Sequence, residues 1–144
     1  MYLATNYFTM KKSILFILFL SFISCSDDND PSTFLPYVPV NETVHLNLHG
    51  NLYIAGNSET VPGGISGIIV YNFNGNDFLA WEAACPHITP SQCSKMNVEG
   101  VLMVCPCDSS RFSILDGSPQ DGTPYPARQY RVVKNGDVLY ITNY

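Results

Sequence analysis

Four of the five cysteines in this chain fall in two short stretches, and one of its three histidines stands with them. The first stretch is Cys85-Pro86-His87, followed by Cys93. The second is Cys105-Pro106-Cys107-Asp108-Ser109-Ser110-Arg111-Phe112. Thiolates and an imidazole presented from two Cys-Pro loops are what an iron–sulfur or zinc centre needs. Cys85, His87, Cys105 and Asp108 are the candidate ligands. Asp108 is the odd member, because a carboxylate is harder and more anionic than the others.

The elements that must position these loops read as β-strands. Nine tyrosines, eight phenylalanines, ten glycines and ten prolines, with only 13% charged residues, suit an all-β domain with many turns. Residues 43–48 alternate, with Val44, Leu46 and Leu48 on one face and His45 on the other. His45 and His49 are expected as surface and turn residues rather than ligands. Residues 52–55 read as a second short strand and 61–64 as a loop. An apolar run over 67–73 turns at Asn74-Gly75 into 78–83, a strong hairpin signal, and that strand runs into Cys85. Residues 101–104 deliver Cys105, and 112–115 leave the second loop. The chain closes with strands at 130–133 and 138–141 around Asn135-Gly136. No helix is expected after the N-terminal segment. Both ligand loops therefore lie at strand ends, where rigid elements hold them.

The N-terminus reads as a targeting segment. Lys11-Lys12 precede an apolar run from Ile14 to Ile23, too short to span a bilayer as a helix and suited to a secretory signal. Ser24-Cys25 resembles the cleavage site of bacterial lipoproteins, with Cys25 as the lipidated residue. Met10 also suits a start, which would make residues 1–9 an over-extension. The acidic run Ser26-Asp27-Asp28-Asn29-Asp30 is expected as a solvated tether, and it resembles the surface-export signal of Bacteroidetes lipoproteins. The expected division is a signal peptide at 1–24, a tether at 25–40 and one domain at 41–144. These features place the domain in the cell envelope, lipid-anchored at the outer membrane, where disulfides persist. Formal net charge is −5, and −7 once Lys11 and Lys12 are removed (5 basic against 12 acidic residues). No basic stripe exists to neutralise phosphates, so no nucleic-acid partner is expected.

With these residues in place, the body resembles a Rieske domain over roughly residue 43 to the C-terminus. That pattern is Cys-x-His in one loop and Cys-x-x-His-Gly in the other. Cys85-Pro86-His87 matches the first loop and Cys105-Pro106-Cys107 opens the second. Phe112, Asp116-Gly117 and the run Gly122-Thr123-Pro124-Tyr125-Pro126 are similar to the family's aromatic, turn and proline-rich loop. The resemblance implies an antiparallel β-sandwich or barrel with two cluster-binding loops at one tip. It also implies a [2Fe–2S] cluster held by Cys85, His87 and Cys105, a redox partner protein, and a disulfide between Cys93 and Cys107. The family's second histidine aligns with Asp108 and its glycine with Ser109. Ser110 matches a serine that hydrogen-bonds a cluster sulfide.

Three readings follow. The leading one is a Rieske-type electron-transfer lipoprotein with Cys85, His87, Cys105 and Asp108 as ligands. An anionic Asp108 in place of a neutral imidazole would then lower the potential. The second is a cluster-free binding or structural domain, in which the four cysteines other than Cys25 form Cys85–Cys105 and Cys93–Cys107 bonds. The third is a mononuclear zinc or iron site on the same ligands, with Cys107 as an alternative fourth ligand. No nucleophile–base pair and no phosphate loop is present, so independent catalysis is not expected.

Overall fold

A computed structural model describes residues 34–144. The signal segment, Cys25 and the acidic tract lie outside the described residues. Among the described residues nine strands form, in order β1 (Asn41–His45), β2 (Ser58–Val61), β3 (Ile68–Asn72), β4 (Phe78–Glu82), β5 (Asn97–Glu99), β6 (Leu102–Val104), β7 (Arg111–Ser113), β8 (Gln129–Asn135) and β9 (Val138–Thr142). Six of them make one antiparallel sheet in the order β1-β9-β8-β4-β3-β2, and the other three make a small sheet, β5-β6-β7. The described chain is all-β, as expected, apart from two single-turn 3-10 segments.

The β3–β4 hairpin is the wall between two cores. All five residues of β3 are buried. Ile68 and Val70 face one apolar cluster with Val44, Leu46, Leu52, Phe78, Leu139 and Ile141. Ile69 and Tyr71 face the other, with Trp81, Met96, Met103, Phe112 and Ile114. Burial on both faces explains why this stretch of sequence is apolar without alternation. The hairpin turns at Gly75, whose φ of 92° only glycine adopts freely. Asn74 accepts hydrogen bonds from the N–H groups of Asn76 and Asp77 across the turn.

Three expectations from the sequence need correction. The strand drawn over 43–48 stops at His45, and 46–48 form a 3-10 turn. Leu46 stays buried, but Leu48 is 75% exposed. The strand expected at 52–55 is instead the end of a second 3-10 turn, Gly50–Tyr53. That turn is held by the Asn72 side-chain amide, which donates to the Leu52 carbonyl. The true second strand, Ser58–Val61, lies later and pairs with β3. Three of its four residues are polar because it carries the free edge of the sheet. The end of the expected tether is anchored at two points, Leu35 and Val40, while Tyr37 between them is exposed. Leu35 is fully buried, and Arg128 donates to the Leu35 and Pro36 carbonyls at 2.6 and 2.8 Å.

Candidate functional site: the tip of the small sheet

Strand β4 delivers the first loop and β6 the second. The first loop closes on itself: the Cys85 N–H donates to the Ser94 carbonyl at 2.7 Å, and Ser94 Oγ donates to the Ser91 carbonyl. The second closes through the Cys105 N–H to the Ser110 carbonyl and the Ser109 N–H to the Cys105 carbonyl, both 2.8 Å. Ser109, aligned with the glycine of the resembled pattern, has φ +65°, the one positive φ outside glycine among the described residues. A serine there holds a backbone shape that glycine takes without steric cost.

The two loops are joined covalently. Cys85 and Cys105 form a disulfide with Cα atoms 5.7 Å apart, and Cys93 and Cys107 form another with Cα atoms 5.0 Å apart. Cys85 and Cys105 are fully buried in the second apolar cluster, whereas Cys93 is exposed. Ser91 Oγ stands 3.5 Å from the Cys93 sulfur and 3.8 Å from that of Cys107. The Cys93–Cys107 bond is the one implied by the resemblance. The Cys85–Cys105 bond gives those two sulfurs to each other rather than to iron.

His87 and Asp108 add a third link between the loops, 2.6 Å from Nε2 to Oδ2. An ionised carboxylate only accepts, so Nε2 carries the proton and donates. Ser110 Oγ lies 3.2 Å from the same nitrogen, and the Ser110 N–H donates to Asp108 Oδ1. Hydrogen bonding by the Ser110 hydroxyl, then by His87 and by the Ser110 N–H, outweighs desolvation and lowers Asp108 to about 2. The other ring nitrogen of His87, Nδ1, is buried with no hydrogen-bond partner. The ring packs 5.9 Å from that of Phe112.

The four residues expected as ligands are thus brought together, but not as a ligand set. The Cys85 and Cys105 sulfurs are bonded to one another. Both Asp108 oxygens are engaged, one by His87 and one by the Ser110 N–H. Cys107, the alternative fourth ligand, is bonded to Cys93. Only Nδ1 of His87 is left, so a four-ligand [2Fe–2S] centre does not fit this arrangement. Ser110 contacts the His87–Asp108 pair rather than standing apart as a sulfide donor. Among the described residues no group of three or more His, Cys, Asp or Glu side chains is placed to hold a metal ion. His45 is exposed as expected, while His49 pairs with Glu59 at 2.6 Å and ties the 3-10 turns to β2.

Two tip-supporting residues escaped the sequence reading. Glu82 is fully buried at the end of β4 and accepts from the N–H groups of Ile65, Ser66 and Ala84 and from the Tyr130 hydroxyl. Three backbone donors and a phenol satisfy a carboxylate that burial would otherwise penalise. Burial, with Glu82 alongside, raises the Tyr130 phenol well above its ordinary value. Trp81 donates from Nε1 to the Ile114 carbonyl at 2.9 Å and so pins the exit of the second loop. Gly117 passes so close that a Cβ there would sit 2.8 Å from Trp81 Cη2. A glutamate inside the apolar run Phe78-Leu79-Ala80-Trp81-Glu82-Ala83-Ala84 was the available signal for the buried network.

No family model and no curated protein matches the sequence. Solved structures do. The ferredoxin of carbazole 1,9a-dioxygenase from Nocardioides aromaticivorans is 19% identical with a TM-score of 0.50, covering 75% of this chain and all of that one. A putative NADH-dependent nitrite reductase small subunit from Mycobacterium tuberculosis is 16% identical at TM-score 0.49, covering 75% and 98%. The cyanobacterial plasma membrane Rieske protein from Synechocystis is 20% identical at TM-score 0.47, covering 73% and 98%. The ferredoxin match carries the assignment: the chain has a Rieske-type β-fold. At such identity the likeness speaks for the fold, and function rests on this chain's own tip.

Proposed function

We propose that this protein is a cluster-free Rieske-fold lipoprotein of the cell envelope, a binding or structural domain anchored through Cys25, with its tip closed by two disulfides. The observation that carries the reading is the inner bond between Cys85 and Cys105, made in the apolar cluster where two thiolates would otherwise stand. The His87–Asp108 bond supports it, because it engages the residue that replaces the second imidazole. An oxidising compartment favours both bonds, which together tie the loops without metal. Catalysis is not part of the reading.

A second reading, electron transfer through a [2Fe–2S] cluster to a partner protein, is favoured by the fold and by the buried, unpartnered Nδ1 of His87. The two readings part in one experiment. Wild type and Asp108→His are purified anaerobically and assayed for iron, acid-labile sulfide and visible absorption. The proposal expects colourless wild type and a cluster signal created by the histidine. A red-brown wild type with a rhombic reduced-state EPR signal overturns it.

A further inference from the structure

We propose that the outer face of β1, β9 and β8 is a membrane-docking surface, turned to the phospholipid bilayer that holds the Cys25 anchor. The inference rests on the lipoprotein reading and adds to it which side of the domain meets the lipid. The register puts Asn41, Thr142 and Arg131 in one row of this face and Thr43, Tyr140 and Val133 in the next. Directly paired residues share a face, and the face recurs at every second residue. The intervening Val44, Leu139 and Ile141 turn the other way and are buried in the first apolar cluster.

The composition of this face sets it apart from the rest of the chain. The sequence holds 12 acidic against 7 basic residues, yet neither row contains Asp or Glu, and Arg131 is exposed there. Glu42, the acidic residue of β1, points to the opposite face, toward Gly63, and Asp137 stands in the hairpin turn at the far end. Tyr140 and Val133 lie opposite one another, 42% and 46% exposed. Asn143 ties the entering chain to the end of β9: its side chain accepts from the Val40 N–H at 2.6 Å and donates to the Val38 carbonyl at 3.2 Å. Tyr37 and Tyr144 flank these tied residues and are 74% and 83% exposed. Tyrosine suits the level of lipid headgroups, where its ring meets apolar chains and its hydroxyl stays wet. An arginine free of neighbouring carboxylates is drawn to the phosphates beside it.

The place where the chain enters decides the occupant. Cys25 stands nine residues before Phe34, the first described residue, and nine residues fully extended span only about 30 Å. A domain of this size has a radius of gyration of about 13 Å, so the anchor keeps it within about one diameter of the bilayer. The tether runs into β1 at Asn41, in the first row of the face. Confinement so close to lipid lets a weak contact orient the domain, an advantage that a partner from solution lacks.

The test uses the full lipidated chain, purified from the envelope. It is reconstituted into vesicles of phosphatidylethanolamine and phosphatidylglycerol that carry bromine on the upper acyl chain. Trp81, the one tryptophan of the sequence, is buried, so a tryptophan placed on the surface reports contact against a quiet background. We expect bromolipid to quench Tyr140→Trp and Tyr144→Trp well beyond the parent protein. Val101→Trp, at the exposed turn of the small sheet, should stay unquenched. Arg131→Gln in the Tyr144→Trp protein should lower the ratio of docked to undocked chains about fivefold, the effect of one cation at an anionic surface. Tyr144 lies beyond the last strand, so that probe reports even where Tyr140→Trp does not fold. Equal quenching at all three sites, or none at any, overturns the proposal. A blue-shifted but unquenched Tyr144→Trp in a dimeric protein also overturns it, and gives the face to a second copy. An N-terminal peptide without acyl groups on Cys25 would instead defeat the lipoprotein reading, and mass spectrometry shows this before any vesicle is made.

Discussion

The two sheets of this molecule are stabilised in different ways. In the six-stranded sheet, strands of four to seven residues enclose an apolar cluster, and ladders between neighbours satisfy the backbone. The small sheet has three strands of three residues each. So short a sheet is marginal in water on its own. Its own Met103 and Phe112 pack with Trp81 and Met96, and two disulfides and a His–Asp bond close its tip. The large sheet is a product of patterning, whereas the small one depends on a few named side chains. Single substitutions should therefore do most damage where the small sheet meets the wall.

The largest effect is expected at Trp81. Trp81→Ala removes the indole against Gly117 and strands the Ile114 carbonyl, and should cost about 3–5 kcal/mol in chemical denaturation. A loss below 1 kcal/mol would mean that the two regions are not coupled through β4. Next come the disulfides. Replacing Cys85 and Cys105 by serine, or Cys93 and Cys107, opens loops of similar length and should cost about 3 kcal/mol in either case. Their reduction should differ more than their stabilities. The exposed outer bond should yield to mild thiol first and the buried inner bond only later, as read by alkylation and mass spectrometry. Simultaneous loss would remove the distinction between an outer and an inner staple.

A smaller effect is expected from pH. Asp108 is lowered from 3.8 to about 2, so it stabilises the folded state above about pH 4 and loses that contribution as pH falls through 2. Asp108→Asn should therefore be less stable than wild type at pH 6, with the gap closing by pH 2 in urea titrations. A gap that persists at pH 2 would assign the effect to something other than the carboxylate's charge. The smallest change is a gain. Ser109→Gly relieves a left-handed serine and should stabilise the tip by about 1 kcal/mol, visible as a raised midpoint in thermal unfolding.

The legibility of the sequence follows the same division. The hairpin at Asn74-Gly75 and the closing strands at Asn135-Gly136 were readable because turn chemistry is local. The β-fold and the two loops were readable from Cys-Pro spacing and resemblance. Leu48 misled because alternation continues past the point where the chain leaves the sheet, and nothing local marks the exit. Strand β2 was missed because an edge strand needs little apolar patterning. At the tip the sequence offered both disulfide pairings as one reading among three, and did not show the His87–Asp108 bond. Whether Asp108 meets a metal or a histidine is decided by tertiary geometry, and the same holds for two cysteines that can be ligands or a bond. Glu82 stood out inside an apolar run, but its partners did not, because its donors come from residues 65, 66, 84 and 130.

The central claim is that Cys85 and Cys105 are bonded to each other rather than to iron. The direct measurement is disulfide mapping by mass spectrometry on unreduced protein isolated from the cell envelope, with iron and acid-labile sulfide counted on the same sample. The account predicts peptides joined as Cys85–Cys105 and Cys93–Cys107, with neither iron nor sulfide. Cys85 and Cys105 recovered as free thiols, alongside iron and sulfide in equal amounts, would contradict it.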